Sequence, residues 1–216
     1  MQLKINKNHF LHLGWVVAAI SIGYIALVGF QGTAEKTAVV DINVVVREST
    51  FGQNNSTMFE RMKTSREGLL KFITENPVIS QPQLARLRDL ELNLNRNANQ
   101  TRDLETVRNE VIADMNRYQA LATKASPNDE DKKQIADFAT RVQQNEFVIN
   151  RLINDFTQEL QTWADEQNLQ GLQRARQAIA TAAQAGNFTI VFDAAVAPYG
   201  ANDLTQAALK AMNDAR

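Results

Sequence analysis

The sequence predicts a mainly α-helical protein, in which a long coiled-coil hairpin projects from a small β body and follows an N-terminal transmembrane or signal helix. Three observations lead to this prediction. Residues 10–30 are almost entirely apolar, residues from about 57 to 185 carry apolar side chains at helical spacing, and short β-prone segments flank that helical stretch. The 216 residues include only four prolines and nine glycines, which favours long helices.

The apolar run from Phe10 to Phe30 has the length of a membrane span. As a helix its 21 residues would rise roughly 32 Å, about the thickness of the hydrocarbon core of a bilayer. Trp15 and Tyr24 are rings of the kind that favours membrane interfaces. Lys4 and Lys7 precede the run, and no acidic residue does. We therefore expect the short basic tail to stay in the cytoplasm and the rest of the chain to be exported.

Two fates of this helix remain open. The small residues Gly32-Thr33-Ala34 fit a signal-peptidase site, and cleavage after Ala34 would give a soluble periplasmic protein. The run is longer than the roughly 7–15 apolar residues of a typical signal peptide, which favours an uncleaved anchor. On that interpretation the protein is periplasmic and tethered to the inner membrane.

Composition and motifs favour a binding or structural protein over an enzyme. The net charge is −1, so no strong field attracts nucleic acid. The chain has no cysteine, which excludes disulfides and thiolate chemistry. Both histidines, His9 and His12, lie before or inside the apolar run, so the exported part can have no His-based triad. No phosphate-loop, zinc-protease or EF-hand pattern occurs, and we expect no catalytic site, metal or cofactor.

The exported part divides into a body and two helical arms. We assign residues 35–50 and 186–216 to a small α/β body, because β-prone segments lie in both. Residues 51–185 form the arms, with a kink near 76–82, where two prolines stop or bend a helix, and a turn near 125–129. The strands therefore lie at both ends of the exported sequence and must meet in space.

Capping residues set the expected ends of the arm helices. Gly52–Ser56 interrupts the helical pattern, so Ser56 or Thr57 is expected to cap the first arm helix. Ser80 can cap the restart after the first proline, and Ser126 can cap the return helix. That helix is expected to end at Gly186-Asn187, a glycine-type stop.

Apolar side chains in the return arm follow the 3-4 spacing of a coiled coil. The stripe comprises Ile135, Phe138, Val142, Asn145, Ile149, Leu152 and Phe156, and after a shift Leu160 and Trp163. We expect Trp163, Phe138, Phe147 and Phe156 in the core. The outbound stripe fails between Asn95 and Arg102, where looser packing is expected.

Two polar features of the arms have ordinary structural interpretations. The acidic segment Asn128–Asp131 suits a helix cap better than a cation site, because it lacks the spacing of a Ca²⁺ loop. Arg174 and Arg176 suit a solvated helix face. The sequence names no client-binding residue.

The body segments have short-strand and helix patterns. Residues 37–41 are β-prone, and 43–49 either continue that strand or form a short helix. Residues 188–193 and 195–199 are expected to form two strands. Asn202 or Asp203 is expected to cap a last helix over 204–213. Tyr199 and Asp193 are expected to stabilise the body.

These flanking segments resemble the Skp/OmpH-like periplasmic chaperones. The similar residues are Thr37-Ala38-Val39-Val40-Asp41-Ile42 at the front, and Phe188-Thr189-Ile190-Val191-Phe192-Asp193, Ala195-Val196-Ala197-Pro198-Tyr199 and Asp203-Leu204-Thr205 at the back. Within them, Asp41, Asp193, Tyr199 and Asp203 are the motif residues of the body. The similarity in register covers about 45 residues, and the arms are similar in pattern only.

The resemblance implies a homotrimer whose bodies pool their strands and whose arms enclose a cavity. Such proteins hold unfolded outer-membrane proteins there without ATP. This chain departs from the pattern in its charge, because residues 51–185 contain 17 Lys/Arg and 18 Asp/Glu, whereas family members have strongly basic arms. Its hairpin region is also longer, and it carries the possible anchor.

Two functions follow as expectations. The first is an ATP-independent holdase of the cell envelope, with unfolded membrane proteins as clients, the protein itself as partner in a homotrimer, and the membrane as partner through the N-terminal helix. The alternative is a membrane-anchored, trimeric coiled-coil scaffold subunit of an envelope complex, favoured by the near-neutral arms and the possible anchor.

Overall fold

The computed structural model describes residues 35–215. The predicted membrane span, with Phe10, Trp15, Tyr24 and Phe30, lies outside these residues. Among residues 35–215, none of the helices is both long enough and apolar enough to cross a membrane.

The described chain is mainly helical with one small strand pair, as the sequence predicts. In chain order the elements are β1 (Thr37–Val40), α1 (Ile42–Glu48), α2 (Thr50–Glu75), α3 (Gln81–Leu92), α4 (Ala98–Ala122), α5 (Asp129–Ala185), β2 (Ile190–Asp193) and α6 (Thr205–Asp214). They group into two compact units. The helical unit comprises residues 46–174, and the small unit comprises the described residues 35–45 and 175–215.

The first arm helix begins earlier than the sequence predicts. α2 starts at Thr50, because the Ser49 hydroxyl accepts a hydrogen bond from the Gly52 N–H at 3.0 Å. The predicted break at Gly52–Ser56 and the cap at Ser56 or Thr57 are therefore wrong. Gly52 serves a close approach instead, because an added Cβ there would lie 2.0 Å from the Val46 carbonyl oxygen.

α2 ends at Glu75, and residues 76–80 reverse the direction of the chain. Ser80 precedes α3, and its N–H and hydroxyl both donate to Gln83 Oε1, at 2.9 and 2.8 Å. The Ser65 hydroxyl donates to the Glu91 carbonyl at 2.6 Å, and Arg61 Nη2 to the Leu94 carbonyl at 2.6 Å. These pairs, with falling numbers on one helix against rising numbers on the other, make α3 antiparallel to α2. The segment near 76–82 is thus a reversal between helices.

A second reversal lies where the sequence predicts only looser packing. The helix ends at Leu92, and Asn97 caps α4 by accepting from the Gln100 N–H at 2.9 Å. Glu91 then pairs with Arg108 at 3.0 Å, and Gln83 Nε2 donates to Asp114 at 2.9 Å. α4 is therefore antiparallel to α3. The outbound arm consists of three helices, because a run of asparagines caps and turns as readily as it weakens a helix.

These reversals give the helical unit a core drawn from α2, α3, α4 and α5. Its buried apolar residues are Leu69, Ile73, Ile79, Leu84, Leu87, Leu104, Val107, Val111, Leu152 and Phe156. Asn145 of α5 is fully buried beside them. Its Nδ2 donates to the carbonyls of Pro77 and Ile79, at 2.7 and 2.8 Å, which fixes the first reversal against α5.

The return helix confirms most of the predicted stripe. Phe138, Asn145, Leu152 and Phe156 are buried, but Phe147 is 72% exposed, so its prediction as core is wrong. Phe147 falls two positions after Asn145, on the other side of the helix.

The N-terminus of α5 corrects the predicted cap. α5 begins at Asp129, and Asn128 is the capping residue where Ser126 was expected. Asn128 Oδ1 accepts from the Asp131 N–H, and Asp131 Oδ2 accepts from the Asn128 N–H, both at 2.8 Å. This reciprocal pair satisfies two N–H groups, which a cap at Ser126 would leave to other partners.

The first and last segments of the helical unit meet. An added Cβ on Gly171 of α5 would lie 2.9 Å from Val46 Cγ1 and 3.4 Å from the ring of Phe51. A glycine leaves room here for Val46 of α1 and Phe51 of α2, which both lie close to α5.

In the small unit, β1 and β2 pair in parallel. Thr37 is opposite Ile190 and Val40 is opposite Asp193, so the segments from both ends meet as predicted. On the other side of β1, the Val39 N–H donates to the Asn202 carbonyl at 2.7 Å and the Leu204 N–H to the Val39 carbonyl at 2.8 Å. β1 is therefore bonded on both edges.

The end of α5 is a Schellman motif. The Phe188 N–H donates to the Ala183 carbonyl at 2.9 Å, and the Asn187 N–H to the Gln184 carbonyl at 3.1 Å. Asn187 takes the left-handed conformation, with φ 55°. The stop is thus at the predicted place, but the asparagine provides the left-handed residue that the sequence assigned to glycine.

The predicted strand at 195–199 is wrong. Asp193 ends β2, and its Oδ1 accepts from the Ala195 N–H at 2.8 Å while its carbonyl accepts from Val196 and Ala197. A short polar side chain that bonds the backbone two residues later favours a turn over a strand. The residues that follow are turns up to the isolated bridge between Asp203 and Val39.

Candidate functional site

Three of the four motif residues of the body accept hydrogen bonds from nearby backbone N–H groups. Asp41 caps α1, whereas the N-cap position of α6 is Leu204, so the cap predicted at Asn202 or Asp203 is wrong. Asp41 Oδ1 accepts from the Val44 N–H at 3.0 Å, while the Asp41 N–H donates to Thr205 Oγ1 at 2.9 Å. Asp203 Oδ1 accepts from the Thr205 N–H at 2.8 Å. Thr205 therefore connects the end of β1 to the start of α6. Asp193, as described, turns the chain after β2.

The carboxyl of Asp203 is tuned by this contact. Hydrogen bonds from the Thr205 side chain and backbone lower the pKa of Asp203 below its ordinary value, against a smaller opposing effect of burial. These bonds hold the turn before α6, so the role of the Asp203 carboxylate is structural.

Tyr199, the fourth motif residue, lies on the surface with 97% of its area exposed. It cannot stabilise the small unit by packing, so that expectation is wrong. Together with Val196, Pro198 and Phe192 it borders a shallow groove of about 390 Å³ whose floor is Val39 and Gly200. An added Cβ on Gly200 would lie 2.1 Å from Val39 Cγ1. Because glycine has no Cβ, the chain can pass this closely over β1.

This groove belongs to a larger apolar surface on the small unit. The side chains of Ile190 and Phe192 lie on the same face of β2, and both are exposed, as are Val196 and Tyr199. Within residues 35–215, β2 pairs with β1 alone, so its second edge is open. A strand with one open edge and an exposed apolar face is typical of an assembly surface, because it leaves edge groups and apolar area for a partner.

The helical unit carries a second apolar surface. A groove of about 300 Å³ lies between the N-terminal turns of α2 and the segment 163–168 of α5. Its apolar walls are Val46, Phe51, Phe59, Trp163 and Ala164. The rings of Phe59 and Trp163 pack at 6.0 Å between centroids. We refer to it as the Trp163 groove.

A charged groove lies on the other side of Trp163. It is lined by Met62, Arg66, Asp155, Glu159, Thr162 and Glu166, with Arg66 paired to Glu159 at 2.9 Å. Because successive helical positions rotate about the axis, Ala164 and Thr162 lie on opposite sides of Trp163. The helix pair therefore has one apolar face and one charged face at this level.

The sequence singled out Trp163 but missed its partners. Phe51 and Phe59 are eight positions apart on α2, a helical spacing. That spacing was available as a signal, but the predicted break at Gly52–Ser56 separated the two rings. The sequence predicted Trp163 in the core, whereas in the structure Trp163 is half-buried at the border of two grooves.

The polar tip of the arms is a cap. Besides the reciprocal bonds at Asn128, Asp131 pairs with Lys124 at 2.5 Å and Asp129 with Lys132 at 3.1 Å. The pKa of Asp131 is lowered mainly by the hydrogen bond from Lys124. Residues 35–215 hold no group of three side chains placed to bind a metal ion.

Comparisons with known proteins do not extend these assignments. No protein-family model, curated protein or solved structure matches the chain.

Proposed function

We propose that this protein is an ATP-independent holdase of the cell envelope that binds unfolded membrane proteins, in the manner of the Skp/OmpH-like chaperones that its flanking segments resemble. The observation that carries the proposal is the Trp163 groove. It is an apolar surface that is open to solvent, and it lies on a helical unit that also exposes Phe147 and Leu169. Open apolar surface of this kind binds the apolar segments that an unfolded chain exposes.

The proposed assembly is a homotrimer formed by the small units. The open edge of β2 and the exposed face with Phe192 and Tyr199 support it, because pairing with further copies would cover both. Arms held side by side would present several grooves to one client, and many weak contacts together give tight but reversible binding.

The proposed location is the periplasm, with the N-terminal helix as an inner-membrane tether. Mass spectrometry of the mature protein tests this. An N-terminus at Met1 supports the tether, and an N-terminus at Glu35 shows cleavage after Ala34 and a released protein.

The holdase proposal is tested by aggregation. An outer-membrane protein diluted from urea should scatter light more slowly when the full-length chain is present in molar excess. We expect Ala164→Glu, which puts a carboxylate into the Trp163 groove, to reduce this protection several-fold. Thr162→Glu is the matched control, because it adds the same charge on the opposite, charged face. Equal protection by both variants, or none by the wild type, would contradict the proposal.

The alternative function is a scaffold subunit. The near balance of 17 Lys/Arg and 18 Asp/Glu over residues 51–185 favours it, because such arms do not steer a charged client. Sedimentation combined with the aggregation assay separates the two functions. A trimer that gives no protection against aggregation identifies a scaffold, and a monomer at micromolar concentration contradicts both.

A further inference from the structure

The charge at the Trp163 groove is positive. Arg47 is the single ionisable residue among those that line it. A second arginine, Arg174, holds its guanidinium 4.6 Å from the centroid of the Phe51 ring, which forms one wall. Arg47 meets Glu48 at 3.3 Å, but both side chains are largely exposed, and such a pair contributes little. The groove therefore has one arginine in its lining and a second arginine beside its Phe51 wall.

The border of the groove is made of amides and a hydroxyl. Asn55 and Ser56 lie on the α2 side, and Gln167 and Asn168 on the α5 side. Within residues 35–215, these four side chains form none of the side-chain hydrogen bonds that their neighbours Gln53 and Thr57 make to the backbone. Amides have both donors and acceptors, so they match the N–H and C=O groups of an extended backbone.

We propose that the Trp163 groove binds the C-terminal residue of an unfolded polypeptide. The apolar side chain of that residue lies against Phe59 and Trp163, and its α-carboxylate meets Arg174 and Arg47. This inference rests on the proposed holdase function and names the part of the client that the site recognises.

Geometry favours a chain terminus over an internal acidic residue. Arg47 lines the groove, and Arg174 lies against the Phe51 ring that forms one wall, so a carboxylate bound by them is close to the bound apolar group. In a C-terminal residue, both groups are attached to the same Cα. In an internal segment, the acidic and apolar side chains come from different residues, and neighbouring side chains of an extended chain point to opposite sides.

A fatty acid also combines a carboxylate with an apolar group, but it fits the border less well. An acyl chain has no polar atoms along its length. It would leave Asn55 and Gln167 without ligand partners and would displace water from them at a cost. The amide border therefore favours a polypeptide, whose backbone bonds it along the groove.

Calorimetry with the full-length chain in detergent tests the inference. The first probe is a Gly/Ser hexapeptide that ends in Phe with a free carboxylate, and the second is the same peptide with a C-terminal amide. We expect the free acid to bind at least tenfold more tightly, since loss of one charge-assisted contact to arginine removes about that much affinity. A third peptide ends in Ser and should bind too weakly to measure.

Variants assign the effect to the groove. Arg174→Gln should weaken the free acid about tenfold and leave the amide unchanged. Arg176→Gln is the matched control, because it removes a neighbouring arginine that, unlike Arg174, is not placed over the Phe51 ring, and it should change neither. Both substitutions are at exposed positions, and circular dichroism checks that each variant folds.

Three results would overturn the inference. They are equal binding of the free acid and the amide, equal binding of a peptide with internal Glu-Phe and an amidated terminus, and tighter binding of dodecanoate than of the Phe peptide. Each leaves the aggregation assay unaffected. A chain that protects clients but shows one of these results is a holdase that does not recognise C-termini.

Discussion

The two units of this protein differ in the kind of apolar side chain that they bury. The helical unit has ten buried apolar residues in one core cluster, supplied by four helices and the loop between two of them. The small unit buries mainly small side chains, and one of its clusters consists of Ala38, Ala183 and Leu204, with Phe188 and Val191 beside it. Its other aromatic side chains, Phe192 and Tyr199, are exposed. The helical unit thus has a continuous core of large side chains, whereas the small unit has exposed aromatic surface that assembly would bury.

The core of the helical unit provides the sharpest test of this contrast. Leu87 of α3 is fully buried. Leu87→Ala should lower the free energy of unfolding by about 2–5 kcal/mol, through lost burial and the cavity that remains. Urea unfolding followed by circular dichroism measures it. Ile112→Ala, at a position that is 42% exposed, is the control and should cost under about 1 kcal/mol. Similar costs at both positions would contradict the core assignment.

A polar contact inside the same core is the second test. In Asn145→Ala, the carbonyls of Pro77 and Ile79 lose their donor. Each buried carbonyl left without a partner costs about 1–3 kcal/mol. Amide hydrogen exchange should rise in α3, because the reversal before it is released.

Asn150→Ala is the control for that measurement. Asn150 lies on the same helix. Its side-chain amide donates to the Glu146 carbonyl, one turn earlier on the exposed surface. Exchange in α3 that is unchanged in Asn145→Ala would show that Asn145 does not hold the reversal.

Glycine substitutions extend the comparison to the small unit. Gly200→Ala brings a methyl group within 2.1 Å of Val39 Cγ1, so the backbone must move, at a cost of about 1–3 kcal/mol. We expect lost exchange protection in β1. Gly68→Ala in α2 is the counterpart, because its nearest new contact is 3.7 Å away. It should stabilise the helical unit by about 0.5–1 kcal/mol. A neutral Gly200→Ala would contradict the close approach.

The smallest expected effect is the pH dependence at Asp203. Its folded pKa is lowered, so its stabilising contribution is present above the unfolded pKa of about 3.9 and is lost as pH falls through the lower folded value. Because the carboxyl is exposed, screening limits that contribution to about 1 kcal/mol or less. Asp203→Asn should therefore be less stable than wild type at pH 7 and equally stable near pH 2.

The shape of the pH series separates ionisation of Asp203 from a simple change of side chain. A constant difference between wild type and Asp203→Asn at all pH values would show that the effect comes from the amide and not from ionisation.

The sequence predicted those parts of the fold that depend on local patterns. Ser80, with a proline two positions later, predicted the start of α3, and the stripe through Phe138, Leu152 and Phe156 predicted the buried side of α5. The meeting of the two end segments also followed, because strands at both ends of a chain need partners.

The parts it missed depend on tertiary contacts. Gly52 has the sequence character of a helix breaker, and only the Val46 carbonyl above it shows why a glycine continues the helix there. The asparagines at 93–97 indicated weak packing, whereas Arg96 donates to three carbonyls, of Leu90, Glu91 and Asn93, and closes the end of α3. The Trp163 groove was missed because the residues that line it come from two segments about a hundred residues apart in sequence.

The contact between Val46 and Gly171 has a consequence for the order of folding. β1 pairs with a strand about 150 residues later, and closing a free loop of that length costs roughly 4 kcal/mol of chain entropy. Once the helical unit has folded, its two ends already lie side by side, so most of that cost has been met. The small unit also needs Leu204, which is synthesised near the end of the chain. Its sheet is therefore expected to form last, and the surface that would join copies together becomes available only on a chain whose arms are already folded.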